Sequence, residues 1–180
     1  MSARRPGPTG SVGVVFLAAA VALSAGASCA GTPLPPSGGR WEHPKLGYAI
    51  DAPQIAPEVW EAVSIDGADL GYRRPDGSAL TLMSDCGRGA APPSLLSRQL
   101  LIGTAERELL TSEPVELEGD PGWRLAFRTS EQDREVTVRA VTLTSGGCTF
   151  DWLWVAPGRS DEAPWFEDWW ASFARGEAPL

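Results

Sequence analysis

The chain has 180 residues, of which 43% are apolar and 21% charged, a length that suits one globular domain. The formal charge is −8, from 15 basic and 23 acidic residues, and an acidic surface argues against nucleic-acid binding. One histidine and three cysteines are too few for a Cys/His zinc site or for catalysis that needs two histidines, so we expect no metal and no cofactor.

The N-terminal residues have the three-part organisation of an export signal. Two arginines precede an uncharged apolar run of twelve residues, 12–23, and a small-residue stretch then leads to Cys29. This context resembles the lipobox of bacterial lipoproteins, with Gly26 where a leucine-like side chain is usual. The resemblance implies that residues 1–28 are a signal peptide and that Cys29 is acylated. Cleavage after Ala27 without acylation, or an uncleaved anchor, are the alternatives.

Residues 29–39 are rich in proline and glycine and carry no charge, which predicts a flexible tether. Ten such residues reach about 30 Å when extended at ~3.1 Å each. Removal of the signal peptide deletes two arginines and no acids, so the mature charge is 13 − 23 = −10. We therefore expect a protein held at a membrane by its N-terminal lipid. It would lie in the cell envelope, on the periplasmic side of an outer membrane or the outer leaflet of a cell membrane; soluble secretion is the alternative.

The globular domain is predicted to span residues 40–180 and to begin with short strands. Strands are expected at 47–50, 68–74 and 78–85, with turn signals between them. The apolar period then changes: leucines at 95, 96, 100, 101, 109 and 110 follow helical spacing. This pattern predicts a helix of four turns from Ser94 to about Leu110.

Strands are predicted to resume afterwards, at 114–118, 123–129, 134–144 and 148–156. In the last of these, Phe150, Trp152 and Trp154 point to one side, while Leu153 and Val155 point to the other. Because both of its faces are apolar, this strand should be central in the sheet and covered on both sides. A final helix is predicted at about 160–174, with an aromatic stripe that includes Trp165, Phe166, Trp169, Trp170 and Phe173.

Two cysteines remain once Cys29 is assigned to lipid. Cys86 and Cys148 each lie beside a glycine at an apparent strand end, and exported proteins form disulfides by default. We therefore predict a Cys86–Cys148 bridge, with two buried unpaired thiols as the alternative.

The element order resembles that of PsbP-like domains, in particular the lipid-anchored bacterial versions. The resemblance rests on Gly47-Tyr48-Ala49-Ile50 followed by Pro53, on an Asp-Gly turn before a strand, and on a closing helix that ends in Ser172-Phe173. It covers residues 40–175 and implies an α+β fold, in which a single antiparallel sheet has a helix packed on each face. A lipocalin-like or other β-barrel with an end helix is the alternative architecture. The family's members are mostly non-catalytic adapters, including extrinsic photosystem subunits and a nuclear transport factor.

Candidate functional residues are few. Five of the eight tryptophans, at positions 152, 154, 165, 169 and 170, lie on periodic faces that predict burial. Trp41 and Trp60, together with His43, follow no such period and are our candidates for an exposed or groove-lining ligand or partner surface. Acidic residues at 66, 69, 76 and 85 lie near hairpin ends, where turn chemistry explains them more simply than metal binding or acid catalysis does.

We therefore expect a non-enzymatic envelope lipoprotein that presents one surface to an unidentified protein partner. A carbohydrate- or small-ligand-binding module that uses Trp41 and Trp60 is the alternative. A hydrolase built on two convergent carboxylates is a third hypothesis.

Overall fold

The structure of the chain is a computed structural model that describes residues 39–53, 60–87, 91–102, 107–131, 134–160 and 163–176. The predicted signal peptide, the acylation site Cys29 and all but the last residue of the tether lie outside these ranges. Among the described residues, no helix has both the length and the apolar character needed to cross a bilayer.

The described residues form ten strands and two short helices. In chain order these are β1 (Arg40–Glu42), β2 (Tyr48–Asp51), β3 (Glu61–Ala62), β4 (Leu70–Arg73), β5 (Ala79–Asp85), α1 (Pro93–Gln99), β6 (Arg107–Leu117), β7 (Asp120–Glu131), β8 (Arg134–Ser145), β9 (Cys148–Pro157), α2 (Pro164–Ala171) and β10 (Ala174–Arg175). A seven-stranded sheet has the order β3-β4-β5-β9-β8-β7-β6, and a separate small sheet has the order β1-β2-β10. All of the strand pairs are antiparallel.

Strand β9 is the fourth of seven strands and therefore lies at the centre of the large sheet. It pairs with β5 through Leu82↔Trp152 and with β8 through Val141↔Trp152. This confirms the central position that its two apolar faces predicted. The disulfide between Cys86 and Cys148 is also present and joins the end of β5 to the start of β9.

The larger hydrophobic cluster lies between one face of the large sheet, helix α2 and the small sheet. Its members include Trp152 from β9, Tyr48 and Ile50 from β2, and Phe166 and Trp169 from α2. Helix α2 begins with Pro164 in its first turn, where a missing backbone N–H costs nothing. The predicted aromatic stripe is therefore buried as a core, and four of the five tryptophans predicted to be core are buried. The fifth, Trp165, is partly buried against the same cluster.

The opposite face of the large sheet carries a smaller cluster beneath helix α1. Leu125 and Phe127 from β7 pack there with Val138 and Ala140 from β8. The cluster also includes Leu100 and Leu101, which follow α1, and Leu153 and Val155 from β9. Helix α1 contacts β7 and β8 but is only seven residues long.

The expected single sheet with a helix on each face is wrong. Among the described residues 55% are in strands and 12% in helices, and the strands form two sheets. The predicted helix from Ser94 to Leu110 ends at Gln99, because Leu109 belongs to β6 and pairs with Phe127 of β7. The large sheet is open, with β3 and β6 at its edges, so the barrel alternative does not hold for the described strands either.

Candidate binding surface

The structure does not bring Trp41 and Trp60 together as an exposed aromatic surface. Their exposed fractions are only 9% and 6%, so the expectation of an accessible pair is wrong. Trp41 contacts the ring of His43 edge-on at 5.5 Å. Trp60 contacts Trp165, and the guanidinium of Arg74 lies 5.4 Å from its ring centroid. Both tryptophans therefore belong to the core.

His43 lies in a cluster with Tyr48 and Asp69. The histidine Nε2 is 3.4 Å from Asp69 Oδ1, and the hydroxyl of Tyr48 donates a hydrogen bond to Asp69 Oδ2 at 2.9 Å. The rings of His43 and Tyr48 are stacked with centroids 5.0 Å apart. The backbone N–H of Asp69 bonds to a carbonyl of β5, whereas Tyr48 belongs to β2. The cluster consequently connects the small sheet to the large one.

Hydrogen bonds fix the orientation of the polar groups in this cluster. The backbone N–H groups of Lys45 and Leu46 donate to His43 Nδ1 at 3.2 and 2.9 Å, so Nδ1 is an acceptor and Nε2 is the ring nitrogen that faces Asp69. Burial raises the pKa of Tyr48 far above its ordinary value, and the adjacent Asp69 carboxylate raises it further. A neutral, fully buried phenol is a structural donor here, since substrate could not reach it.

A groove of about 360 Å³ opens on the other face of the large sheet, beside helix α1. Its floor is formed by β5 and β9 and its wall by α1. The lining residues include Met83, Asp85, Leu96, Gln99, Leu100 and Asp151. This size is within the range of small-ligand sites, and an apolar wall with a few polar groups is typical of them.

The polar groups of the groove are held in place by their neighbours. Asp85 Oδ1 accepts a hydrogen bond from the backbone N–H of Gly87 at 3.1 Å, and Asp151 Oδ1 accepts one from the hydroxyl of Thr142 at 2.6 Å. The disulfide follows Asp85 directly in the chain and so fixes the adjacent strand ends. The groove is therefore lined by carboxylates from two strands next to the apolar side chains of α1.

The four acidic residues near hairpin ends are not gathered into one site. Asp69 belongs to the His43 cluster, while Asp76 accepts a bond from the backbone N–H of Ser78 at 2.8 Å, as expected for a turn. Asp85 lines the groove and Asp66 lies in the turn before β4. In the described part of the chain, no group of three or more His, Cys, Asp or Glu side chains is arranged to hold a metal.

Sequence reasoning missed the groove and the apolar residues on the outer side of α1. Leu95, which the helical spacing places on the apolar face, is 54% exposed, and Ile102, which the sequence analysis does not consider, is 80% exposed. The signal that could have revealed them is Gly103, a poor helix former directly after Ile102 that favours an early end to the helix.

Comparison with known proteins gives a fold but no activity. No family model matches the chain, and the comparison with characterised proteins found no match. The solution structure of the cyanobacterial PsbP protein CyanoP from Synechocystis sp. PCC 6803 superposes with a TM-score of 0.54 at 15% identity, covering 79% of this chain and 95% of CyanoP. The fold is PsbP-like.

Two further solved structures are similar. A protein from Bacteroides thetaiotaomicron VPI-5482 has a TM-score of 0.56 at 12% identity over 78% of this chain, which spans about half (49%) of that protein's length. LpqN, described as involved in cell envelope biogenesis of Mycobacterium tuberculosis, has a TM-score of 0.49 at 18% identity and covers 72% of this chain and 82% of its own.

Proposed function

We propose that this protein is a lipid-anchored, non-enzymatic binding module of the cell envelope and that the groove beside α1 is its binding site. The observation that carries the proposal is the groove itself: it is an accessible concave site with an apolar wall and two positioned carboxylates. The His43 cluster, in contrast, uses its hydrogen-bonding groups to join two sheets.

The cysteines support the export and anchoring part of the proposal. Two of the three cysteines are bonded to each other, which leaves Cys29 as the one cysteine outside the bridge. A disulfide between Cys86 and Cys148 fits an oxidising compartment, where exported proteins fold. Cys29 follows an apolar run and precedes a proline- and glycine-rich tether, which is the sequence context of an acylated cysteine.

Anchoring is tested by expressing the full chain in bacteria with a radiolabelled fatty acid. We expect label on the wild-type protein and recovery of the protein with membranes. The Cys29→Ser variant should carry no label and move to the soluble fraction, whereas the matched Ser28→Ala variant should behave as wild type. Equal labelling of the two variants, or an unlabelled soluble wild-type protein, would refute the anchoring part.

Binding at the groove is tested by photo-crosslinking in the native host. A benzophenone amino acid placed at Gln99, in the wall of the groove, should give a discrete crosslinked protein. The same amino acid at the exposed Lys45, in the turn before β2, should not give this species. An identical pattern from both positions, or a crosslink from Lys45 alone, would exclude the groove as the binding site.

A further inference from the structure

An exposed apolar patch lies on the outer side of α1. Leu95 and Ile102 are seven residues apart and Arg98 lies between them, so the three share one side of the helical segment. The helical winding continues past the end of α1. Leu101 N–H donates to Arg98 O and Ile102 N–H donates to Gln99 O, both at 3.1 Å. This side normally carries polar residues, because it faces solvent.

The first residues of β6 extend the patch. Arg107 Nη1 donates to the carbonyl oxygen of Leu101 at 2.9 Å and thereby places the start of β6 beside the end of α1. Leu109, two residues further on, is 56% exposed. We call these five residues, Leu95, Arg98, Ile102, Arg107 and Leu109, the outer patch. It contains three of the four exposed large hydrophobic residues in the described part of the chain.

The outer patch and the groove lie on different flanks of α1. The large sheet has the order β5-β9-β8-β7-β6, and α1 lies over β8 and β7. The groove is on the β5 and β9 side, lined by Leu96 and Leu100, whereas Leu109 is on the β6 side. Occupation of the outer patch therefore leaves the groove accessible from its own side.

We propose that the outer patch makes a second, peripheral contact with an anionic membrane surface, a step that rests on the proposed anchoring. The charges favour this occupant: the mature chain carries −10, yet both charged residues of the patch are arginines. Protruding apolar side chains flanked by arginine are the combination that inserts at a lipid interface. A tether that spans about 30 Å would keep the domain beside the bilayer at a high effective concentration, so a weak contact suffices.

The test uses residues 32–180, whose described part contains both hydrophobic clusters and the disulfide. An N-terminal histidine tag attaches this unit to vesicles that carry a nickel-chelating lipid, so the result does not depend on acylation. An environment-sensitive dye is placed at Ile102→Cys, with Lys45→Cys as the matched exposed control. We expect a shift of the dye emission to shorter wavelength at position 102 only, on vesicles that also contain phosphatidylglycerol and not on phosphatidylcholine alone.

The Arg98→Glu variant tests whether the shift in dye emission depends on the positive charge of the outer patch. Loss of one arginine weakens attraction to an anionic surface about fivefold, and charge reversal weakens it further, so the equilibrium constant for docking should fall by at least that factor. Added salt should reduce it as well. An unchanged emission on anionic vesicles, or a shift that Arg98→Glu leaves intact, overturns the proposal. A concentration-dependent shift without vesicles would overturn it in favour of a second copy of the chain.

Discussion

Two buried tyrosines offer a matched test of which polar contacts stabilise the fold. Tyr48 is fully buried and its hydroxyl donates to Asp69 Oδ2 at 2.9 Å. Tyr72 is 1% exposed, and among the described residues its hydroxyl has no hydrogen-bond partner. A Tyr→Phe change removes one oxygen atom in each case and leaves the ring in place. Tyr48→Phe should therefore destabilise the protein and Tyr72→Phe should not, although the chemical change is the same.

The magnitudes follow from the acceptor. A hydrogen bond to a charged group contributes about 1.5–3 kcal/mol, so Tyr48→Phe should lower the free energy of unfolding by that amount. Among the described residues, it leaves Asp69 with the contact to His43 Nε2 at 3.4 Å. Tyr72→Phe removes a buried oxygen without a partner, and we expect no loss of stability or a gain of about 1 kcal/mol.

Urea unfolding followed by tryptophan fluorescence measures both effects. With a slope of about 2 kcal/mol/M, the midpoint of Tyr48→Phe should fall by about 1 M, while that of Tyr72→Phe stays or rises. A double-mutant cycle of Tyr48→Phe with Asp69→Asn assigns the loss to their contact, because the two changes should then not be additive. Equal decreases for both tyrosines, or an additive cycle, would show that ring packing and not the hydrogen bond is responsible.

Three further predictions concern pH, the disulfide and packing. Burial raises the pKa of Tyr72 to about 12. Between pH 10 and 12 the unfolded chain therefore loses the Tyr72 proton while the folded protein keeps it. This contribution to the free energy of unfolding is highest below pH 10 and falls as the pH rises toward 12. Tyr72→Phe should flatten that part of the urea-midpoint-against-pH curve, and an unchanged slope would contradict the assignment. The Cys86–Cys148 bridge closes a loop with a sequence separation of 62, so its reduction should lower the free energy of unfolding by about 4 kcal/mol. Urea melts with and without reductant measure this loss. A loss below about 1 kcal/mol would refute the loop-entropy reasoning. Gly71→Ala would place a Cβ 2.7 Å from a backbone carbonyl oxygen and should lower the free energy of unfolding by about 1–3 kcal/mol in urea melts. Gly87→Ala is the control, because the nearest atom to its Cβ would be a side-chain oxygen at 3.6 Å, and it should not lower stability. Equal effects of the two variants would contradict the steric argument.

The parts of the fold that follow from local pattern were predictable. Strand β9 has large apolar side chains on both faces, and such a strand has no solvent-facing side, so its central position could be inferred. The turns before β4 and β5 contain Gly67 and Gly77, which adopt positive φ angles of 77° and 91°. Glycine tolerates this conformation, and the Asp-Gly signals therefore marked the two turns correctly.

The small sheet depends on contacts that no local pattern encodes. Ala174 of β10 pairs with Ala49 of β2, and these residues are far apart in the chain. The strands involved are two to four residues long, too short to give a periodic signal. The burial of Trp41 has the same origin, because β1 pairs with β2 and the small sheet places this ring in the main core. An aromatic residue outside any periodic segment is thus no indication of exposure.

The early end of α1 connects the failed helix prediction with the candidate site. Leucines from 95 to 110 fit helical spacing, but Leu109 pairs with Phe127 in the long antiparallel hairpin of β6 and β7, where the backbone groups are paired between strands and not along a helix. Because α1 is only seven residues long, it leaves part of β5 and β9 open beside it, and the groove forms at that flank. The same early end turns Ile102 outward beside β6. A helix that continued to residue 110 would have covered more of this sheet face, so both the groove and the outer patch follow from the chain's return as a strand.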